Sequence, residues 1–202
     1  SPHLVPLPRA GSAATLLARV VEHYHKTFCE RPDAQAYLQG RGLVDTGLWR
    51  VFKLGYADGS LLKLVPKTGE LREQLVALGV ITAEGRELLG GCVVFPIPDA
   101  VSGDCTTFYG RGLKVDRHCY LPGPLRGVWN YQAAQSASEV VLTESVIDAL
   151  SCLQAGIMSA IPLYGTNGFT GEHLDALLKS PTRRAVICLD NDEPGKQAAL
   201  SL

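Results

Sequence analysis

The chain has 202 residues, room for one large domain or two small ones, and its 46% apolar content can build a core while only 19% of residues are charged, too few for a disordered polyelectrolyte. No apolar run in the sequence reaches the length of a membrane span. The net charge of −1 hides an asymmetry: residues 1–135 carry 15 Lys/Arg against 12 Asp/Glu, and residues 136–202 carry 4 against 8, a distribution that suits a polyanion-binding surface beside a metal site as well as it suits chance scatter.

In chain order, Ser1 stands where a start Met would be, so an excised fragment is expected. The Pro- and Gly-rich stretch Ser1–Ser12 reads as a linker or cloning scar, because it lacks the basic start and apolar run of a signal peptide. Leu16, Leu17, Val20, Val21, Tyr24 and Phe28 recur at helical spacing and predict a helix from about Ala13 to Cys29. A short helix follows Arg31, with Pro32 in its first turn, and ends near Gly40. Asp45 is placed to cap another through Trp49 and Phe52, and Thr68 to cap one from Glu70 to about Leu78. The β-rich runs Cys92–Ile97 and Asp104–Tyr109, separated by a turn cluster, predict a hairpin, with Pro98 at a strand end. Arg117–Arg126, broken by glycine and proline, is expected to be loop.

From Ser138 the pattern becomes strand–helix–strand–helix–strand with short connections: strands at Val140–Leu142, Ser159–Tyr164 and Ala185–Leu189, and helices at Ser145–Ala155 and from a Thr170 cap to Lys179. Pro194-Gly195 opens a further helix. Such alternation predicts a parallel sheet. The fold class expected is therefore α/β, an α+β amino-terminal subdomain over 13–135 followed by a parallel α/β sheet over 136–202. The cysteines (Cys29, Cys92, Cys105, Cys119, Cys152 and Cys188) form no C-x-x-C pair and have no histidine at zinc-finger spacing. They read as free thiols in a reducing cytoplasm, with no zinc site.

The chemistry is concentrated at the ends of the three late strands. The first delivers Glu144, the second Gly165-Thr-Asn-Gly168 and the third Asp190-Asn-Asp192. In an open parallel sheet with right-handed crossovers the carboxyl ends of the strands share one edge, where ligands bind. Acids far apart in sequence then converge on one hard cation, with Asp190 and Asp192 pointing alike if the segment stays extended. Either acid alone reads as a helix-start residue; their joint placement favours Mg²⁺ or Mn²⁺ held for phosphoryl transfer. Asp148, one helical turn beyond Glu144, either binds metal through water or pairs with a basic residue. Gly165 and Asn167 lie in a turn that either permits close backbone approach or is an ordinary connection, and Lys196 either meets phosphate or is solvated. Arg111, Lys114, Arg117, His118 and Arg126, with Tyr120 interleaved, form a basic stretch that can grip phosphate while a ring stacks on a base.

The order Glu144-Ser-Val-Ile-Asp148, Gly165-Thr-Asn-Gly168 and Asp190-Asn-Asp192-Glu-Pro-Gly195 resembles the TOPRIM module shared by bacterial-type primases, type IA and II topoisomerases and some nucleases. Upstream, Tyr37-Leu-Gln-Gly-Arg41-Gly-Leu43, Phe52-Lys-Leu-Gly-Tyr56, Val94-Phe-Pro-Ile97, Phe108-Tyr-Gly-Arg111 and Tyr120-Leu-Pro-Gly-Pro124 fall in the order seen in the DnaG-like primase core. The wording from Tyr120 to Asn130 is most similar to primase-like proteins of phages, plasmids and integrative elements. The resemblance implies RNA primer synthesis on single-stranded DNA from ribonucleotide triphosphates. It implies metals held by Glu144, Asp190 and Asp192, and nucleotide or template contacts from Arg111 and Arg126, with Arg41 matching a further basic position. Ser145 stands where the family usually has Gly, and Cys119 where it usually has Lys. The resemblance also implies a TOPRIM sheet cut short at Leu202, and zinc-binding and helicase-binding modules lying outside the chain. A metal-dependent TOPRIM nuclease and a non-catalytic single-stranded-DNA-binding module of a mobile element are the competing expectations.

Overall fold

The computed structural model describes residues 11–202, so the expected linker lies outside the described residues except for Gly11 and Ser12. The chain divides into two compact units. The first takes residues up to Arg41, Trp49–Pro96 and Asp104–Pro124; the second takes Gly42–Leu48, Ile97–Gly103 and Leu125–Leu202.

The first unit is built on α1 (Ala13–Cys29). Ser12 caps it, its hydroxyl accepting from the Thr15 N–H at 3.2 Å. The predicted stripe from Leu16 to Phe28 is buried along one face. Two short helices follow, α2 (Pro32–Gln39) and α3 (Thr46–Val51); residues 46–48 of α3 belong to the second unit, and the helix is entered through Asp45, whose Oδ1 accepts from the Gly47 and Leu48 N–H groups. A 3₁₀ turn (Ser60–Lys63) precedes α4 (Glu70–Ala77). The cap of α4 is a correction: Gly69 occupies the N-cap at φ 102°, with no side-chain hydrogen bond, and Thr68 lies outside the helix.

A four-stranded sheet has the order β1 (Gly55–Tyr56), β2 (Cys92–Pro98), β3 (Cys105–Gly112) and β4 (His118–Tyr120). β4 falls where loop was expected, and it pairs antiparallel with β3, Tyr109 opposite Tyr120 and Arg111 opposite His118. Pleating separates the two faces. Cys92, Val94 and Phe108 join α1 in one core cluster, with Cys119 packed against it. Gly55 is required where β1 crosses α1, since a β-carbon there would meet Cβ of Tyr24 at 2.7 Å. Each large aliphatic side chain withdrawn from water into this core contributes roughly 1.5–3 kcal/mol.

The second unit holds the parallel sheet, in the order β6 (Ala160–Pro162), β5 (Glu139–Thr143) and β7 (Arg184–Cys188). β5 is central and buried, with Thr143 in register with Pro162 on one side and Cys188 on the other. The helices are α5 (Tyr131–Ser136), α6 (Val146–Gln154), α7 (Gly171–Leu178) and α8 (Glu193–Ser201). α5 was not visible in the sequence pattern; it begins after Asn130 in a left-handed conformation at φ 56°. Val128, Ala134, Val140, Leu142, Ile161 and Leu163 form the core. β7 is different in character: among the described residues it has a strand neighbour on one side only, and four of its five residues are exposed. Gln154, at the end of α6, ties down residues 42–45: its Oε1 accepts from the Val44 and Asp45 N–H groups at 2.7 and 3.0 Å, and its Nε2 donates to the Gly42 carbonyl at 2.5 Å. No helix among the described residues is long and apolar enough to cross a membrane.

Candidate metal centre and nucleic-acid interface

Parallel register places the ends of β5 and β7 side by side, because Thr143 and Cys188 are partners and the next residues leave the sheet together. Glu144 follows Thr143, and its Oε2 accepts from the main-chain N–H of Asp190 at 3.2 Å. The Gly165 N–H, after β6, donates to the Glu144 carbonyl at 3.2 Å, with Gly165 at φ 91°. Gly168 closes that turn so tightly that a β-carbon would lie 2.2 Å from the Tyr164 nitrogen. Glu144 therefore sits at the junction of all three strand ends.

The other acids are engaged locally. Asp148 Oδ2 accepts from the Ser145 N–H at 3.0 Å and from the Ser145 hydroxyl at 2.6 Å, a capping box at the head of α6. This is a third role beside the two weighed from sequence. Asp192 is the N-cap of α8, its Oδ1 accepting from the Gly195 N–H at 2.8 Å. The extended geometry ends at Cys188, so strand alternation does not govern the directions of Asp190 and Asp192.

Partial burial first, and then the negative field of Asp190, Asp192 and Asp148, hold the Glu144 carboxyl above its usual range, against the pull of the Asp190 N–H. A divalent cation at this rim would relieve that repulsion, and the donors are hard oxygens, as such a cation requires. Among the described residues no three His, Cys, Asp or Glu side chains form a ready metal cage. Magnesium commonly takes only one or two protein carboxylates and completes its octahedron with waters and substrate phosphates, so Glu144 and Asp190 suit it as the protein's share.

The basic residues sort by strand face. In the first unit Tyr109, Arg111, His118 and Tyr120 lie on one face of the β3–β4 pair, as their register requires. The Tyr109 and Tyr120 rings are 5.0 Å apart, and Tyr109 Oη meets His118 Nδ1 at 2.7 Å. Arg111 donates from Nε to Tyr37 Oη at 3.2 Å, and the Arg41 guanidinium lies 5.0 Å from the centre of the same Tyr37 ring. Burial first, and then Arg111, hold the His118 imidazole below its usual range; Arg41 adds to this and Asp116 opposes it. Burial likewise pushes the Tyr120 phenol up. Arg117 points elsewhere, donating to the Leu88 carbonyl at 2.6 Å and to Cys119 Sγ at 3.8 Å. Lys114 is exposed in the β3–β4 loop. In the second unit Arg126, Asn167 and Lys196 are all exposed, Lys196 in the first turn of α8. Sequence reasoning missed Tyr37, Tyr109 and Asp116 as members of this surface. The alternation in Phe108-Tyr-Gly-Arg111 could have found Tyr109; nothing local marks Asp116.

Residues 141–202 match the Toprim-like family. A DNA primase of Pasteurella multocida is 28% identical over 202 residues, covering 91% of this chain and 34% of that protein. The chain thus spans about a third of the length of the relatives it matches. A solved DnaG catalytic core superposes with a TM-score of 0.80 at 25% identity, over 93% of this chain and 65% of that one. A DnaG primase catalytic domain bound to single-stranded DNA does so with a TM-score of 0.78 at 26% identity, over 93% and 66%. In sequence and in fold, the chain is similar to the DnaG primase catalytic core, and its residues 141–202 match the Toprim-like family.

Proposed function

We propose that the protein is the catalytic core of a DNA primase, which joins ribonucleotides into a primer on single-stranded DNA by divalent-metal phosphoryl transfer. The observation that carries this reading is the contact between Glu144 and Asp190 at the common rim of β5 and β7, where acids from two crossovers crowd one another. Mg²⁺ or Mn²⁺ bound there would neutralise phosphate charge and align the attacking oxygen with the leaving group. Glu144 and Asp190 would be its protein ligands, with Asp192 reaching it through the oxygen that does not cap α8. The turn from Gly165 to Gly168, with Asn167 exposed in it, brings backbone close to the rim. In the first unit Arg111 and Arg41 supply fixed positive charge, and Tyr120 and His118 supply rings, the combination that holds a single strand by phosphate contact and base stacking. Lys114, Arg126 and Lys196 are exposed cations that add to phosphate attraction, whereas Arg117, bound to Leu88, serves the packing of the hairpin.

The test uses the full-length protein with single-stranded DNA, labelled ribonucleotides and Mg²⁺ or Mn²⁺. Glu144→Gln and Asp190→Asn are expected to abolish labelled product while leaving the circular dichroism spectrum unchanged. Normal synthesis by either variant removes that residue from the mechanism, and cleavage of DNA without added nucleotides replaces the polymerase reading with a nuclease.

A further inference from the structure

The loop that joins β3 to β4 returns an acid onto a basic residue of the strand it has just left. The Gly112 N–H donates to the Arg117 carbonyl at 2.9 Å, closing a hairpin so tight that a β-carbon at Gly112 would lie 2.6 Å from the Val115 carbonyl oxygen. Asp116 is thereby carried back over Arg111, its Oδ1 2.8 Å from Nη2, with His118 Nε2 at 3.6 Å from the same oxygen. The partners differ sharply in freedom: the Arg111 side chain is 14% exposed and held through Nε by Tyr37, whereas Asp116 is 83% exposed. The cation is fixed and the anion hangs in solvent.

We propose that Asp116 stands in for a phosphate on Arg111 and is displaced when nucleic acid or nucleotide binds, so that it sets how strongly this face must be engaged before it opens. This rests on the reading of the Arg111 face as a phosphate-binding surface. A carboxylate offers a guanidinium the same paired acceptor oxygens as a phosphate does. An ion pair with so exposed a partner adds little stability and is readily exchanged. While the pair is closed, Asp116 cancels the charge of Arg111 and shields His118. A lone chloride or acetate gains nothing over the tethered acid, whereas a phosphate that also meets Arg41 or stacks a base on Tyr120 does.

The experiment measures binding of oligo-dT, and separately of ATP without DNA, to full-length protein by fluorescence anisotropy over a range of salt. Asp116→Asn is expected to tighten binding by about three- to tenfold at low salt, with the gain shrinking as salt rises. For oligo-dT its salt slope should steepen by about one unit, as one more unmasked cation requires. Asp116→Glu should stay close to the parent, and the melting temperature of all variants should be unchanged. Arg111→Ala should weaken binding, and adding Asp116→Asn to it should restore nothing. Tightening with oligo-dT alone assigns the displaced position to a strand phosphate, and with ATP alone to a nucleotide phosphate; either supports the proposal. If Arg111→Ala weakens binding but Asp116→Asn does not strengthen it, the role of Asp116 is overturned and the phosphate surface stands. If Arg111→Ala binds as the parent does, the surface reading falls, and the proposal with it.

Discussion

Ser145 and Asp148 cap each other at the head of α6: the Asp148 carboxylate takes both the N–H and the hydroxyl of Ser145, and the Asp148 N–H reaches back to the Ser145 hydroxyl at 3.4 Å. Ser145 is thus half of a reciprocal cap immediately beside Glu144. Removing the acid unties one main-chain donor, the Ser145 N–H, together with the Ser145 hydroxyl. Asp148→Ala is expected to lower unfolding stability by about 1 kcal/mol, read from urea melts. An Asp148→Ala protein as stable as the parent would show that the cap contributes nothing.

Gly195 is the second place where backbone packing sets the site. A β-carbon there would lie 2.1 Å from the Asp190 carbonyl oxygen, so any side chain must push the Asp190 loop off the rim. Gly195→Ala is expected to lower primer synthesis by about tenfold or more, since a misplacement of roughly 1 Å at a reacting centre has effects of that order. Leu202 is further from the rim in the chain, and Leu202→Ala serves as the control that should leave synthesis unchanged. Equal activity in Gly195→Ala and the parent would mean that the Asp190 position is not set by this contact.

His173 gives the fold a pH dependence whose sign is fixed by its partners. The ring is buried; Nδ1 accepts from the Thr170 N–H at 3.2 Å and Nε2 donates to the Pro162 carbonyl at 3.1 Å. Both nitrogens are committed in the neutral tautomer, and burial lowers the imidazole below its usual 6.5 despite the Pro162 carbonyl. Between the folded and unfolded values the unfolded chain binds more protons, so stability rises with pH in that window. Below 6.5 it is lost as pH falls towards the folded value, with a slope of at most about 1.4 kcal/mol per pH unit. Glu87, also buried, is shifted up by desolvation, so it contributes in the opposite sense as pH climbs above its ordinary 4.5. The difference between parent and His173→Gln melts isolates the histidine: the parent should lose stability faster between pH 7.5 and 5.5. Parallel curves would show that His173 does not titrate across the transition.

Much of this was legible in the sequence because it rests on periodicity and on strand ends. The stripe from Leu16 to Phe28 could only be a half-buried helix, and the three apolar runs after Ser138 could only be a parallel sheet once short helices separated them. What was hidden depends on directions that a pattern does not carry. β4 is three residues long and alternates a polar and an apolar face just before a Pro-Gly-Pro break, so composition read as loop. Thr68 resembled a cap, but Gly69 reached the needed backbone conformation without a side chain. Asp192 follows the third strand as its spacing implied, but one oxygen of its carboxylate accepts from the Gly195 N–H in the first turn of α8. Gln154, 112 residues from Gly42, had no signal at all; an exposed glutamine at a helix end is ordinary until the loop it holds is seen.

β7 carries a consequence for anyone handling the protein. Its outer main-chain groups have no neighbouring strand among the described residues, and Ile187 on it is 39% exposed, with Leu200 of α8 at 82%. An open, partly greasy strand border is a template onto which another extended segment can zip. Concentration is therefore a variable in every assay on this polypeptide, and turbidity or light scattering belongs beside each titration, because molecules that stick to one another along this border would mimic weak ligand binding.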